Sequence, residues 1–271
     1  MGPRSTLPPA GAQFLAAQPW IVLGARRADQ TVWCTLLTGP PGFLDVDGTA
    51  LTIGARPTPG DPLAELLEHD AMVGLLGIEL ASRRRLRVNG RCRPAVVDGV
   101  DGLRIEVDEA LGNCPRYIHR RTWTAVEPDD EPAVTASGER LTESQEDWIR
   151  SADTFFIATT DETGNSDASH RGGPPGFVSV TAPGRLEFPD YPGNNMFLTL
   201  GNLSAEPTAG LLFVDWDIGA VLHLTGSVVV RREPAMRDDG IERTIEFSID
   251  HVVERRHVVP LRWSVATTTV E

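Results

Sequence analysis

The chain contains no lysine; all 25 of its basic residues are arginine. That absence excludes any mechanism in which a lysine amine captures a carbonyl group or pyridoxal phosphate as a Schiff base. A phosphate would have to be held by arginine forks, hydroxyls or backbone N–H groups. Cysteine is scarce as well. Cys34, Cys92 and Cys114 are odd in number and lack metal-ligand spacing, which points to a reducing cytoplasm and to no metal centre. No apolar run approaches the ~20 residues of a membrane helix. The opening Met1-Gly2-Pro3-Arg4-Ser5 lacks the apolar core of a secretory signal. A cytoplasmic protein without a membrane partner is therefore expected. Positive charge is in deficit: the formal net charge of −13 argues against a nucleic-acid partner, whose phosphates the average surface field would repel. A small anionic ligand in a locally basic pocket remains compatible with it. The excess of Arg, Ala, Gly and Pro over lysine also suits a GC-rich bacterial genome.

What the chain does have is a repeat. Thr38-Gly39-Pro40-Pro41-Gly42-Phe43-Leu44 returns as Gly172-Gly173-Pro174-Pro175-Gly176-Phe177-Val178, 134 residues on. Val73-Gly74-Leu75-Leu76 returns as Ala209-Gly210-Leu211-Leu212, and Leu86-x-x-x-Gly90 as Leu222-x-x-x-Gly226, both 136 residues on. Three matches in one order, drifting by two residues, indicate two copies of one β-rich unit. A duplicated fold can build within one chain the interface that a homodimer builds between two. A further homodimer is not required by this arrangement, but it is compatible with it.

Each half follows the same plan. Trp20 to Ala25 and Val32 to Leu37 read as a hairpin, with strands at Ala50 to Ile53, Met72 to Leu80, Arg84 to Cys92 and Leu103 to Leu111. Asp61 followed by Pro62 predicts a helix start running to Leu67. Pro, Asp, Glu, Ser and Gly crowd between Glu127 and Arg140 and predict a linker. Thr142-x-x-Gln145 is a capping box that opens a helix ending near Ala152. Strands at Thr154 to Thr160, Phe177 to Thr181, Thr208 to Trp216, Ala220 to Val230 and Glu242 to Asp250 repeat the first half. The stretch from His251 to Glu271 has no counterpart of similar length there. Many short strands and few helices give a mainly β fold of two tandem split barrels forming an intrachain pseudo-dimer. The domains run from 12 to 126 and from 142 to 271, with 127 to 141 between them.

Candidate site residues follow from chemistry and spacing. Ser169, His170, Arg171 and Gly172 place a cation and an imidazole among small residues beside a turn, where an anion can approach the backbone closely. Arg85, Arg87 and Arg91, with Asn89, alternate with Leu86, Val88 and Gly90, so the guanidinium groups share one side of a strand. Asn194, Gly201 and Asn202 offer amide donors and acceptors, although Gly and Asn also mark ordinary turns. Cys114 and His170 are the candidate catalytic residues. A nucleophilic Cys114 needs a base that the sequence does not reveal, and free cysteine is more often a small buried hydrophobe. Trp216 and Trp263 suit either stacking on a ring or a core. His251 and His257 lack ligand spacing and are read as surface residues.

The segment Ser169-His170-Arg171-Gly172-Gly173-Pro174-Pro175-Gly176-Phe177-Val178 also carries a resemblance. Together with Pro189-Asp190-Tyr191-x-Gly193-Asn194, Thr199-Leu200-Gly201-Asn202-Leu203, Gly210-Leu211-Leu212-Phe213-Val214-Asp215 and, in the first half, Gly112-Asn113-Cys114-Pro115-Arg116-Tyr117-Ile118, it resembles the pyridoxamine-5′-phosphate-oxidase-like, flavin-mononucleotide-binding split-barrel family. The resemblance spans most of residues 15 to 262. It implies six-stranded barrels, a flavin phosphate on arginines of adjacent strands, and a flavin ring in the groove between barrels. Arg171 and Ser169 fall on the strand that supplies phosphate contacts in the family. Arg85-Leu86-Arg87-Val88-Asn89-Gly90 resembles the family's Arg-Gln-Val-Arg-x-x-Gly strand. Its counterpart, Val221-Leu222-His223-Leu224-Thr225-Gly226, lacks the arginines, so the two pseudo-equivalent sites cannot be chemically equal. The family's phosphate-binding lysine is absent, and its substrate-binding arginine-histidine pair has no clear match, which speaks against vitamin B6 as substrate. The expectation is a flavin-mononucleotide-dependent oxidoreductase acting on a small organic substrate. The alternatives are a haem or deazaflavin protein, with His170 or His223 as axial ligand for haem, and a flavin-binding protein without catalysis.

Overall fold

The computed structural model describes residues 6–112, 115–128, 130–191, 198–232 and 243–265. After a short helix α1 (Pro9–Ala16), the first half contributes β1 (Trp20–Arg26), β2 (Val32–Thr38), β3 (Leu44–Asp47), β4 (Ala50–Ile53), β5 (Ala71–Glu79), β6 (Arg84–Val97) and β7 (Val100–Gly112). β8 (Arg121–Ala125), β9 (Ala133–Gly138) and helix α2 (Glu143–Ser151) lead into the second half. There follow β10 (Thr154–Thr160), β11 (Ser166–Gly172), β12 (Ser179–Ala182), β13 (Arg185–Asp190), helix α3 (Leu198–Ala205), β14 (Thr208–Val214), β15 (Val221–Arg232), β16 (Arg243–Arg256) and β17 (Leu261–Val265).

The duplication extends to hydrogen-bond register. The first sheet runs β2-β1-β5-β6-β7-β4-β3 and the second β11-β10-β14-β15-β16-β13-β12, the same order strand for strand. Val73 pairs with Gly90, and its repeat Ala209 pairs with Gly226. Both long hairpins carry a bulge at that glycine, which leaves Asp108 and Asp250 as the extra residues. The bulge brings the opposing backbone so close that a Cβ on Gly90 would lie 2.0 Å from the Glu106 carbonyl oxygen, and one on Gly226 2.0 Å from that of Ser248. Glycine is therefore required at both positions.

Each sheet encloses its own core. All seven strands of the first half supply buried side chains to one cluster, including Leu23, Trp33, Leu44, Leu51, Leu75, Val88 and Ile105. The second half builds a matching cluster around Phe155, Phe188, Leu211, Leu222 and Phe247. A third cluster belongs to neither half alone: Val22, Cys34 and Leu76 pack against Phe156, Ala168 and Leu212. Small residues permit this approach. A Cβ on Gly24 would sit 2.5 Å from that of Ala158, one on Gly74 2.4 Å from the Asp167 Cα, and one on Gly210 2.6 Å from the Trp33 Cα. The last two contacts are repeats of each other, so the halves face one another about a pseudo-twofold axis.

Local signals hold where they are strong. Thr142 and Gln145 form the expected capping box at the start of α2. Two expectations are corrected. The helix read from Asp61 to Leu67 is a series of turns with one 3₁₀ turn at Leu66–Glu68, because the chain must return to the sheet at Ala71. The linker is also not structureless: β9 lies within it and pairs antiparallel with β16. The final stretch continues β16 to Arg256 and then forms β17, which pairs with β8 of the preceding half. Among the described residues, no helix is long and apolar enough to cross a membrane.

Candidate functional site

The site forms where β6 of the first half crosses β11 of the second. Period-two alternation sends Val88 and Cys92 into the first core, while Arg85, Arg87 and Asn89 face the other half. Arg87 is 5% exposed. It donates to the Ser169 hydroxyl from Nη2, and its Nε lies 3.5 Å from Asp167 Oδ1. Ser169 Oγ donates to Asp167 Oδ2 at 3.1 Å and lies 3.2 Å from the Thr199 hydroxyl at the start of α3. On the other face of β11, Arg85 Nη1 is 3.5 Å from His170 Nδ1. Arg171 is buried beside them and donates to the His170 carbonyl at 3.2 Å. Asn202 reaches the same region from α3 and donates to Thr159 Oγ1 at 3.1 Å.

The structure thus brings Arg85, Arg87, Ser169, His170, Arg171 and Asn202 together across the interface. Arg91 lies further along β6 and is exposed. Gly172 serves geometry: a Cβ there would lie 2.0 Å from the Tyr117 carbonyl oxygen, so glycine admits the chain segment that crosses β11. That segment is fixed by stacking of Tyr117 on Tyr191, with centroids 5.1 Å apart, and by His119 Nε2 donating to the Gly173 carbonyl at 2.9 Å. Cys114 and Asn194 lie outside the described residues. Asp167 and Thr199 join the cluster without having been singled out as contacts, and Asn89 joins it from the strand face it shares with the arginines. Asp167 could have been found from the same alternation that links it to Ser169 and Arg171.

The site combines buried guanidinium groups, the carboxylates of Asp167 and Asp190 that favour their charged forms, and a neutral imidazole. Burial, with the positive charges of Arg85 and Arg171, holds His170 well below the usual histidine range, so it is uncharged at neutral pH. Burial also pulls Arg171 down to about 10, which leaves it protonated. Among the described residues, several buried polar atoms lack a hydrogen-bond partner: Arg87 Nη1, Arg171 Nε, Asn89 Oδ1 and His170 Nε2. An unmet buried donor costs about 1–3 kcal/mol, and more when charged; His223 Nε2, Thr225 Oγ1 and Arg255 Nε at the pseudo-equivalent location share this condition. Beside the β6–β11 cluster a cleft of about 360 Å³ opens between the halves, walled by Asn89, Asn202 and the carboxylates of Asp108, Glu109, Asp161 and Asp167, with the arginines set behind its lining.

The pseudo-equivalent location on the other side is different. Arg85, Arg87 and Asn89 are replaced by Val221, His223 and Thr225, and Asp167, Ser169 and Arg171 by Trp33, Thr35 and Leu37. Arg255 enters from β16, fully buried, and pairs with Asp61 at 2.9 Å. Thr35 Oγ1 donates to the same carboxylate at 2.5 Å. His223 is also buried, donates from Nδ1 to the Cys34 carbonyl at 2.9 Å, and is held below its ordinary range by burial. His251, expected at the surface, is half-buried with its ring edge-on to Trp33, centroids 6.1 Å apart.

Other candidates are structural. Trp216 and Trp263 pack edge-to-face with Trp20, and the Arg121 guanidinium lies 5.0 Å from the Trp216 ring centre. Cys34 and Cys92 are buried free thiols, the first pushed well above its usual range by burial and the second to about 12. Among the described residues, no group of three or more His, Cys, Asp or Glu side chains is arranged to hold a metal ion.

Residues 141–265 match the family model described as pyridoxamine 5′-phosphate oxidase. This half is a pyridoxamine 5′-phosphate oxidase-like split barrel. Solved structures similar to the chain include a HupZ variant from Group A Streptococcus, 13% identical with a TM-score of 0.35, covering 42% of this chain and 98% of that one. A putative pyridoxamine 5′-phosphate oxidase from Lactobacillus delbrueckii is 15% identical with a TM-score of 0.34, covering 42% and 94%. HutZ, the haem storage protein of Vibrio cholerae, is 11% identical with a TM-score of 0.29, covering 41% and 89%. Among curated proteins none matches the chain. In the oxidase-like half, β11 and α3 supply Ser169, Arg171, Thr199 and Asn202; Arg85 and Arg87 come from the first half, so the candidate site is composite.

Proposed function

We propose that the chain is a flavin-mononucleotide-dependent oxidoreductase acting on a small organic substrate, with the flavin held between its two barrels. The observation that carries this reading is the pair of buried guanidinium donors without hydrogen-bond partners among the described residues, Arg87 Nη1 and Arg171 Nε, beside the Ser169 and Thr199 hydroxyls. In a chain without lysine, this is the donor set a phosphate monoester requires. The family of the second half supports flavin mononucleotide as the phosphate-bearing group. A bound flavin would supply two-electron oxidation and reduction, which side chains alone do not.

The chain's own residues have separable tasks. Arg87 and Arg171 neutralise the anion. Asn89 keeps an acceptor oxygen for a ring or sugar donor. His170 receives the Arg85 contact at Nδ1, which places its proton on Nε2, and as a neutral imidazole it can donate from Nε2 to an acceptor without adding charge. Packing between the halves keeps water from this layer. A haem reading would use His170, whose Nε2 also has no hydrogen-bond partner among the described residues, and an iron-porphyrin spectrum lost in His170→Ala would favour it. The acidic surface speaks for a small-molecule rather than a nucleic-acid partner. The free buried thiols suit a reducing cytoplasm.

The test begins with the absorbance spectrum of the purified protein and identification of what denaturation releases. Flavin bands, free flavin mononucleotide and turnover of a reductant are expected, and Arg171→Ala should emerge without flavin. Stoichiometric flavin in that variant would refute the assignment of the site. Tight flavin with no turnover of any donor would reduce the protein to a carrier.

A further inference from the structure

We infer that the chain has one cofactor site rather than two, because the second pseudo-equivalent site is permanently closed by a latch centred on Arg255. The inference rests on the flavin reading above and concerns how many such sites the duplicated fold retains.

Two symmetric barrels facing each other generate two equivalent interface sites. Three independent features abolish one of them. The first is substitution: the guanidinium positions of β6 become Val221 and His223 on β15, and Arg171 becomes Leu37 on β2. None of the positions equivalent to Arg85, Arg87 and Arg171 carries a cation to hold a phosphate.

The second feature is occupation. Arg255, on the strand pairing with β15, turns its guanidinium into the interface with no exposed surface. Nη1 donates to Asp61 at 2.9 Å, and Nη2 donates to Thr58 Oγ1 at 2.5 Å and to the Pro59 carbonyl at 3.1 Å. Asp61 takes further bonds from Thr35 Oγ1 at 2.5 Å and from the Leu63 amide at 2.9 Å. The carboxylate is thereby satisfied from three directions, and the chain supplies both the cation and the anion. Among the described residues Arg255 Nε, His223 Nε2 and Thr225 Oγ1 keep no hydrogen-bond partner, so the closure rests on the Arg255–Asp61 pair and the absence of the β6 and β11 cations rather than on full satisfaction of every polar atom.

The third feature is a cover. β9 pairs along Val252–Arg256 of β16 and brings Val134 onto the Gly60 turn, where a Cβ on Gly60 would lie 2.7 Å from Val134 Cγ2. Ser137 Oγ lies 3.0 Å from His251 Nε2, and that imidazole rests against Trp33. Among the described residues no equivalent strand pairs with β7 at that end. The segment joining the halves therefore seals one of the two sites and leaves the other open to the Asn89–Asp167 cleft.

Equilibrium titration of the flavin-stripped, full-length protein with flavin mononucleotide tests this directly. One flavin per chain is expected. Arg87→Gln and, as a second variant, Arg171→Gln should each weaken that binding roughly tenfold to a hundredfold or more, so that occupancy collapses at flavin concentrations near the wild-type dissociation constant. Thr58→Ala, which weakens the latch, should lower the thermal midpoint and leave the count at one. Two flavins per chain, or unchanged affinity in both Arg87→Gln and Arg171→Gln, would overturn the single-site inference while leaving the flavin reading intact. No binding by the wild type would overturn both.

Discussion

Replacing Gly74 with alanine should separate the two halves. The added Cβ would lie 2.4 Å from the Asp167 Cα, 2.6 Å from its carbonyl carbon and 2.7 Å from the Ala168 nitrogen. Carbon atoms rest about 3.5–4.0 Å apart, so β5 and β11 must part by roughly 1 Å. All three opposing atoms are backbone, and no side-chain rotation can relieve the contact. Overpacking of this kind costs about 1–3 kcal/mol, a factor of roughly 5–150 in the folding equilibrium. The same displacement moves Asp167 and Ser169 from Arg87, so flavin affinity should fall as well. Urea unfolding read by tryptophan fluorescence gives the first quantity and flavin titration the second. Gly138→Ala is the control, because a Cβ there meets nothing within 4 Å. Gly210→Ala meets the Trp33 backbone on the opposite side, 2.6 Å from its Cα, and should destabilise with a smaller effect on flavin. A Gly74→Ala protein as stable as Gly138→Ala, with unchanged flavin affinity, would refute this account of the interface.

Asp61→Asn should lower stability by about 3–5 kcal/mol, because it leaves Arg255 buried without a counter-charge; a loss below about 1 kcal/mol in urea unfolding would contradict the latch. The pH profile follows from His170 and His223, both held below the ordinary value of 6.5 by burial. The unfolded chain binds protons that the folded chain refuses, so stability is full above pH 6.5 and falls on acidification. The slope reaches about 1.4 kcal/mol per pH unit for each histidine. Urea midpoints at pH 7.5 and 5.5 check this, and a flat profile would contradict neutral burial of both rings.

Much of this architecture is legible in the residues themselves. The repeated Pro-Pro-Gly and Leu-x-x-x-Gly segments announce the duplication, because the turn and the bulge each demand particular residues. The alternation from Arg85 to Arg91 shows that guanidinium groups share a face, although only Arg85 and Arg87 lie within reach of β11. The turn-rich segment after Asp61 is harder to read. Its Asp-Pro start is a genuine capping signal, but tertiary demands turn Asp61 toward Arg255, 194 residues away. β9 is similarly hidden, since its Pro- and Glu-flanked sequence becomes a strand only because β16 offers an edge. Arg255 gives no local sign of its role, as its pairing depends on a contact between halves. The composite site has the same character: each half holds part of it, and only the packing at Gly24, Gly74 and Gly210 assembles the parts.

The most direct test of the central claim is the dissociation constant of flavin mononucleotide for Arg87→Gln measured beside the wild type. Loss of one charge-assisted contact worth about 1.5–3 kcal/mol predicts binding weaker by roughly tenfold to a hundredfold or more. Equal affinity in the two proteins would contradict a cofactor site built from both halves at the β6–β11 crossing.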